Sequence, residues 1–263
     1  MRSTSIPLLR RNIARRLAAE YPDKTRSVEL LLRQVVESND PRLHRDVLDG
    51  IATGLKGRRR LPMPHQWQAA WAKIATDHDP VLCQLANEVG VVFEDERAIQ
   101  ELQQLVQSDD SEPQARHIAL AALVANRTDG LARLLQRLID DKELAAQAVR
   151  GLAAINDKQT PRLLLDRYPA MNPTLRRQAV STLASRAAFA QTLLVAVEAK
   201  KIPRGDIGAF DLRQMWSLDD ASLRKKIRQL WPKFLPASGE KAAAIHRYQK
   251  ILTKERLLLA DAA

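Results

Sequence analysis

Three clusters of basic side chains are the feature of this sequence best suited to bind another molecule. Arginine and lysine hold carboxylates and phosphates through charge and hydrogen bonds, so closely spaced cations attract acidic partners. Such a partner is an acidic protein face, a nucleic acid or an anionic lipid; the alternative interpretation is a surface that only keeps the protein soluble. The candidate binding residues are Arg58, Arg59 and Arg60, then Lys200, Lys201 and Arg204, and then Arg224, Lys225, Lys226 and Arg228.

Side chains that could catalyse a reaction or bind a metal show no functional spacing. No two histidines are four residues apart, and the glycine motifs of phosphate-binding loops, dinucleotide sites and nucleophile elbows are absent. The single cysteine, Cys83, excludes an internal disulfide and the paired cysteines of covalent haem, and we expect a buried structural thiol. We therefore expect no catalytic residue, no metal and no cofactor in this chain. The histidines, each expected to be exposed or half-buried, are His44, His65, His78, His117 and His246.

The elements that position these side chains are predicted to be helices. Apolar residues recur at the spacing of one helical face in segment after segment, as in residues 28–36 and 131–139. The alternation typical of strands is scarce. Ser27, Asp40 and Asp79 are predicted to cap helices, because their side chains can accept amide N–H groups of a first turn. The sequence thus predicts an all-α protein of about twelve helices.

A weak repeat predicts how these helices are arranged. The hexamer at residues 118–123 resembles those at 147–152 and 178–183, and a related hexamer occurs at 46–51. One pair of helices cannot bury both of its faces, so repeated pairs stack into a continuous core. The predicted architecture is therefore a solenoid of the HEAT or armadillo kind. The alternative is a compact helical bundle, in which alanine- and leucine-rich helices resemble one another by composition.

No segment is predicted to cross a membrane. The longest unbroken apolar run, residues 118–125, is far shorter than the ~20 residues that span a bilayer. The first residues also lack the apolar core of a secretory signal peptide. Gly50 and Gly54 have the GxxxG spacing, to which we assign no packing role, because this motif is associated with membrane helices.

Charge is unevenly distributed along the chain. Residues 1–110 contain 16 Lys/Arg and 16 Asp/Glu, whereas residues 111–263 contain 26 and 15. We predict charge-neutral helical repeats over residues 1–110 and basic HEAT-like repeats over residues 111–235. Residues 236–263 are predicted to form a C-terminal helix or linker toward a further domain.

The segment 200–252 contains an unusual series of motifs. An Ile-Pro-x-x-Asp-Ile turn precedes an Arg-Gln pair, a Ser-Leu segment that ends in tryptophan, and a Tyr-x-x-x-Leu helix. The series resembles the end of the helical-repeat region in large multidomain haem-c proteins of planctomycete-type bacteria. The matching residues are Ile202, Pro203, Asp206, Ile207, Arg213, Gln214, Ser217, Leu218, Leu223, Ile227, Trp231, Tyr248 and Leu252.

This resemblance implies a location and a role. In that family the helical repeats lie between a propeller-like dehydrogenase domain and a cytochrome c domain, outside the cytoplasm. It therefore implies a periplasmic, non-catalytic scaffold that fixes the distance between an electron donor and an acceptor, with haem c only in a neighbouring domain. Because this chain has no CxxCH motif, we expect a segment of a longer protein or a relative that lacks the cytochrome.

The alternative function is nucleic-acid binding by a basic, HEAT-like protein, of which a DNA glycosylase is the enzymatic form. Base excision would require an acidic residue in a basic groove, and Asp206 and Asp211 are the candidates. Aromatic residues make up only 4% of the chain, too few to indicate a stacking platform for bases. A protein partner is therefore preferred to a nucleic acid.

Overall fold

The structure, a computed structural model, describes residues 6–76 and 79–234. These ranges contain fourteen α-helices, three short 3-10 helices and no strand, which confirms the predicted all-α class. The α-helices have seven to fourteen residues, a length at which helices depend on tertiary packing rather than on intrinsic propensity. The α-helices are α1 (Pro7–Ala18), α2 (Thr25–Glu37), α3 (Pro41–Gly54), α4 (Trp67–Ala75), α5 (Pro80–Val92), α6 (Glu96–Gln107), α7 (Pro113–Asn126), α8 (Leu131–Arg137), α9 (Ala145–Leu152), α10 (Thr160–Arg167), α11 (Pro173–Ala184), α12 (Ala187–Glu198), α13 (Ala209–Ser217) and α14 (Ala221–Leu230).

The described residues contain more helices than the predicted twelve because some junctions carry neither proline nor glycine. The turn between α5 and α6 passes through Glu94, whose φ is 55°, and Asp95, whose carboxylate accepts the Arg97 amide N–H at 3.0 Å. Only Ser185 and Arg186 separate α11 from α12. A left-handed residue and a side-chain cap are local events that hydrophobic spacing does not report.

Two of the three predicted caps are confirmed. The carboxylates of Asp40 and Asp79 each accept the amide N–H two residues later at 3.0 Å, and each is followed by proline at the first helical position. The prediction for Ser27 is wrong, because α2 already begins at Thr25 and Ser27 lies within its first turn.

The chain divides into two compact units, residues 1–157 (the first unit) and residues 158–263 (the second unit). In the first unit α3 contacts α1 and α5, α7 contacts α5 and α9, and α2 contacts α4. In the second unit α12 contacts α10 and α14, and α11 contacts α13. Most helices also contact the next one along the chain, so each has neighbours on two sides. The predicted C-terminal segment, residues 236–263, lies outside the described residues.

Polar contacts show the direction of next-but-one helices in the second unit. Gln191 Nε2, early in α12, donates to Asp220 Oδ2 at 2.9 Å, just before α14. Seven residues later, Glu198 Oε2 accepts a hydrogen bond from Lys226 Nζ at 3.0 Å. Because both contacts advance along the two helices together, α12 and α14 run in the same direction.

Helices α1 and α3 approach closely because two glycines of α3 face α1. A Cβ atom at Gly50 would lie 2.4 Å from the Cβ of Ala14, and one at Gly54 would lie 2.6 Å from the carbonyl oxygen of Arg15. The GxxxG spacing therefore has a packing role in this protein, contrary to our expectation. The physical reason is steric: close backbone approach requires the absence of a side chain in water as well as in lipid.

A buried polar cluster connects α4 with the start of α6. Trp67 Nε1 and Arg97 Nη2 each donate to Asp95 Oδ2 at 2.7 Å, and the Arg97 guanidinium lies 5.2 Å from the Trp71 ring centroid. Asp95 is only 3% exposed. Burial alone raises the pKa of its carboxyl, but the hydrogen bonds from Arg97 and Trp67 together outweigh burial, so the pKa is lowered.

Replacing Gly50 with alanine is expected to destabilise the first unit by about 1–2 kcal/mol. The added methyl group has no space beside Ala14, and overpacking outweighs the preference of helices for alanine over glycine. The measurement is denaturant unfolding followed by circular dichroism. Gly205→Ala is the matched control, because a Cβ atom there meets no atom within 4 Å. An unchanged midpoint for Gly50→Ala would contradict the close contact.

Replacing Asp95 with asparagine is expected to cost about 1–2 kcal/mol of stability near pH 7 and progressively less below pH 4. The lowered pKa means that the folded state favours the ionised carboxylate. Its stabilisation is therefore present above the unfolded pKa and lost as the pH falls through the folded pKa. Unfolding midpoints at pH 7 and pH 3 measure the effect, with the exposed Asp110→Asn as control. A stability loss that is equal at both pH values would contradict this assignment.

Candidate functional site

The excess of positive charge lies entirely in the second unit. Residues 1–157 contain 22 Lys/Arg and 22 Asp/Glu, whereas residues 158–263 contain 20 and 9. In the described part of the second unit, residues 158–234, the numbers are 15 and 6. The sequence analysis predicts that the basic repeats begin at residue 111, but residues 111–157 have no net charge. The step in charge therefore coincides with the structural division.

Helices α13 and α14 pack against each other, and α14 carries the third predicted cluster of cations. Asp219 turns the chain between them with a φ of 55°, and the Asp220 carboxylate accepts two amide N–H groups at the start of α14. The apolar side chains of α14 are buried at intervals of three and four residues, which turns the intervening cations outward. These buried residues are Leu223, Ile227 and Leu230.

Trp216, near the end of α13, lies against two arginines of α14. The Cζ atoms of Arg224 and Arg228 are 5.7 Å and 5.1 Å from the centroid of its ring. The two arginines are four residues apart and so share one side of the helix. Phe234 also packs on the tryptophan, with ring centroids 5.9 Å apart. Cation–π attraction therefore holds both guanidinium groups beside a half-buried ring.

The cations of α14 differ in whether a carboxylate neutralises them. Arg224 Nη2 lies 2.9 Å from Asp219 Oδ1, and Arg224 Nε donates to the carbonyl oxygen of Trp216 at 3.1 Å. Lys226 Nζ lies 3.0 Å from a carboxylate oxygen of Glu198. The exposed cations of α14 that no carboxylate pairs with among the described residues are Lys225 and Arg228.

The second predicted cluster occupies the turn after α12. Lys200 has a φ of 59°, and the turn continues into a 3-10 helix that begins at Arg204. The buried side chain of Ile202 anchors the turn, while its three cations are exposed. Glu198, the last residue of α12, pairs with Lys226 of α14. The turn begins directly after this residue, so it follows the contact between α12 and α14 in the chain.

The cluster at residues 58–60 belongs to the neutral first unit and has acidic neighbours. Arg60 lies 3.2 Å from Glu94 and 3.6 Å from Asp129. Arg58 lines a cavity of about 370 Å³ that also contains the carboxylates of Asp49 and Glu88. The two ion pairs of Arg60 offset part of the local positive charge, so this cluster differs from the cations of the second unit.

The second unit also contains a cavity of about 860 Å³ that brings together the two aspartates considered as alternative catalytic residues. Asp206 and Asp211 line it with Tyr168, Arg176 and the strongly exposed Phe210. The cavity thus combines two carboxylates, a guanidinium group and aromatic rings, and its volume is sufficient for a small ligand or an extruded base.

Both aspartates of the cavity have structural partners. Tyr168 Oη donates to Asp206 Oδ2 at 2.8 Å, and burial together with this hydrogen bond raises the pKa of the Tyr168 hydroxyl. Asp211 Oδ2 accepts the Gly208 amide N–H at 3.0 Å, and burial raises the pKa of Asp211. The Arg176 guanidinium donates to two backbone carbonyl groups. Because Asp206 and Gly208 lie in the segment that leads into α13, these contacts of the cavity wall fix the start of that helix.

The remaining reactive side chains are scattered. His44 is only 3% exposed, contrary to expectation, because it lies on the inward face of α3. Cys83 is half-buried rather than buried. His78 and His246 lie outside the described residues.

In the described ranges, no three His, Cys, Asp or Glu side chains are grouped so as to hold a metal. No helix in these ranges is long and apolar enough to cross a membrane.

Sequence reasoning missed the aromatic and polar residues that organise the site. Trp216 is not among the residues predicted from the sequence to have a function, yet it lies against Arg224 and Arg228 across a turn. Arg213 lies three residues before Trp216 on the same helix and is exposed, but it is not among the candidate binding residues predicted from the sequence. The one available signal was this spacing of a cation and a tryptophan on one helical face. The contact of Tyr168 with Asp206 had no local signal, because 38 residues separate them.

Comparison of the chain with protein-family models, with curated proteins and with solved structures found no match. The resemblance of residues 200–252 to the haem-c proteins therefore stays a prediction from the sequence.

Proposed function

We propose that this protein is a non-catalytic helical-repeat scaffold whose second unit binds an acidic protein surface. The observation that carries the proposal is the segregation of charge between a neutral first unit and a second unit whose described part has 15 cations and 6 carboxylates. A surface of one sign accelerates association with an oppositely charged partner and selects against others. Such binding is expected to weaken strongly as the salt concentration rises.

The six carboxylates in the described part of the second unit, residues 158–234, support this proposal because each is already engaged by a neighbouring group. Three pair with cations, one accepts from a tyrosine, and two accept backbone N–H groups at helix starts. Six carboxylates can offset only part of the charge of the fifteen cations in residues 158–234, so this part of the unit keeps a net positive charge for a partner. The six carboxylates are those of Asp166, Glu198, Asp206, Asp211, Asp219 and Asp220.

We further propose that the helices of each unit stack as HEAT-like repeats. Contacts between next-but-one helices support this arrangement, because a bundle would pack its helices around a shared core. Three of the repeated hexamers fall on the alternate helices α7, α9 and α11, and the fourth falls on α3, two such steps before α7. Near the starts of the hexamers of α7 and α9, His117 Nδ1 and Gln147 Oε1 are 2.7 Å apart.

The haem-c resemblance supplies the proposed context. In this context the chain is an extracytoplasmic spacer between a dehydrogenase-like domain and a cytochrome c domain, and haem c belongs to that neighbour. The matching Ile-Pro-x-x-Asp-Ile turn has a structural explanation, since Ile202 and Ile207 are buried and Asp206 accepts the Tyr168 hydroxyl. These structural roles account for the motif without any catalytic residue.

The second candidate function is nucleic-acid binding with base excision. It is favoured by one observation, the presence of Asp206 and Asp211 in a single cavity of a basic unit. Its test is release of a modified base from duplex DNA, with activity lost in Asp206→Asn or Asp211→Asn. Absence of base release, together with weak DNA binding at physiological salt, would remove this candidate.

The scaffold proposal predicts that reversing three cations of the second unit weakens binding to an acidic peptide by roughly tenfold at low salt. The variant is Arg213→Glu/Lys225→Glu/Arg228→Glu, which avoids Arg224 and Lys226 because these hold internal ion pairs. The probe is a fluorescein-labelled decamer of glutamate, and fluorescence anisotropy measures its dissociation constant.

The matched control is Lys56→Glu/Arg58→Glu/Arg59→Glu in the first unit, which changes the net charge by the same amount. It is expected to weaken binding less than twofold. Equal losses in the two variants would show that only total charge matters and would contradict a binding surface on the second unit. No binding by the unaltered chain at low salt would remove the proposal.

A further inference from the structure

Arg228 is the one arginine beside Trp216 whose hydrogen-bond donors are unused among the described residues. Its neighbour Arg224 is occupied by Asp219 and by the carbonyl oxygen of Trp216. In contrast, the Cζ atom of Arg228 lies 5.1 Å from the centroid of the indole ring. Its guanidinium has no carboxylate or carbonyl partner within residues 6–76 and 79–234. Its exposed guanidinium therefore presents up to five N–H groups to the solvent.

Stacking on Trp216 prepares this guanidinium for a particular type of partner. A free arginine side chain loses considerable rotamer freedom when it forms a bidentate hydrogen bond, whereas a stacked one has already been restricted. The Arg228 Cζ lies over the ring, 5.1 Å from its centroid, and no described residue accepts a hydrogen bond from the guanidinium, so its N–H fork is open to a partner. A planar fork of this kind matches the two oxygens of a carboxylate.

Arg213 places a second cation on the same side of α13 as Trp216. The two residues are three positions apart on the helix, and Arg213 is exposed, with no carboxylate partner in the described part of the chain. Arg213 thus lies on the helix that carries Trp216, and Arg228 lies on the helix that packs against this tryptophan. The charge of Arg224 is neutralised by Asp219. This arrangement concentrates uncompensated positive charge around one indole ring.

The surroundings of Trp216 favour a carboxylate over a nucleobase. Two guanidinium groups and Phe234 already lie against the ring, so a base would have to displace one of them in order to stack. The arginines at the ring, Arg224 and Arg228, are one helical turn apart, whereas a nucleic-acid backbone is followed by cations spread along a groove.

We infer that Trp216, Arg213 and Arg228 form a receptor for an aspartate or glutamate side chain of an acidic protein segment. This inference rests on the proposed function and narrows it from a charged surface to one preorganised site. The Arg228 guanidinium binds the carboxylate through two parallel N–H···O hydrogen bonds, and Trp216 holds that guanidinium in place. Arg213 adds the charge that retains an acidic segment near the site.

The experiment compares four single variants of the full chain by fluorescence anisotropy with the glutamate decamer and with a thymidine decamer. Arg228→Lys keeps the charge but removes the fork, and Arg228→Gln removes both. Trp216→Leu removes the stacking ring and leaves every charge in place. Lys225→Gln is the control, because it removes an equally exposed cation that has no ring beneath it. Circular dichroism verifies that each variant is folded.

The receptor predicts that Arg228→Lys, Arg228→Gln and Trp216→Leu each weaken binding of the glutamate decamer about fivefold or more, and Lys225→Gln less than twofold. Unchanged binding by Arg228→Lys would overturn the inference, because charge alone would then suffice. Equal losses for Lys225→Gln and Arg228→Gln would also overturn it, while leaving the charged surface of the proposed function intact. Tighter binding of the thymidine decamer would assign the site to nucleic acid. No binding of the glutamate decamer by the unaltered chain would remove the proposed function itself.

Discussion

Short amphipathic helices cannot remain folded in water unless each buries its apolar side against others, and this constraint organises the whole chain. Helices of seven to fourteen residues have little stability of their own, so neighbours along the sequence must supply the packing. Contacts between next-but-one helices follow directly from this requirement. Where two helices must come closest, as α1 and α3 do, the sequence has glycine at Gly50 and Gly54, because any larger residue would separate them.

Polar side chains hold the ends of these helices in register. Asp95 starts α6 and at the same time accepts hydrogen bonds from Trp67 and Arg97. Tyr168 and Asp206 connect the segment after α10 to the turn before α13. Buried polar groups are costly unless they are paired, so such contacts favour one arrangement of neighbouring helices over its alternatives.

The same use of carboxylates for structure leaves the second unit with a surplus of exposed cations. Its described carboxylates cap helices or pair internally, and most of its arginines and lysines have no such role. The proposed binding of an acidic surface therefore needs no dedicated pocket. Placing Arg228 on Trp216 converts part of a diffuse positive surface into a directed donor, since the ring restricts the guanidinium without neutralising it.

Local chemistry explains what could be predicted from the sequence alone. The helical class, the caps at Asp40 and Asp79 and the three cationic clusters each depend on residues that are close in the chain. Tertiary structure decided the rest: the meeting of Trp216 with Arg228 across a turn, the single cavity shared by Asp206 and Asp211, and the neutralisation of Arg60 by Glu94. Hydrophobic periodicity specifies which side of a helix is buried, but it carries no information about which exposed side chains a folded neighbour brings together.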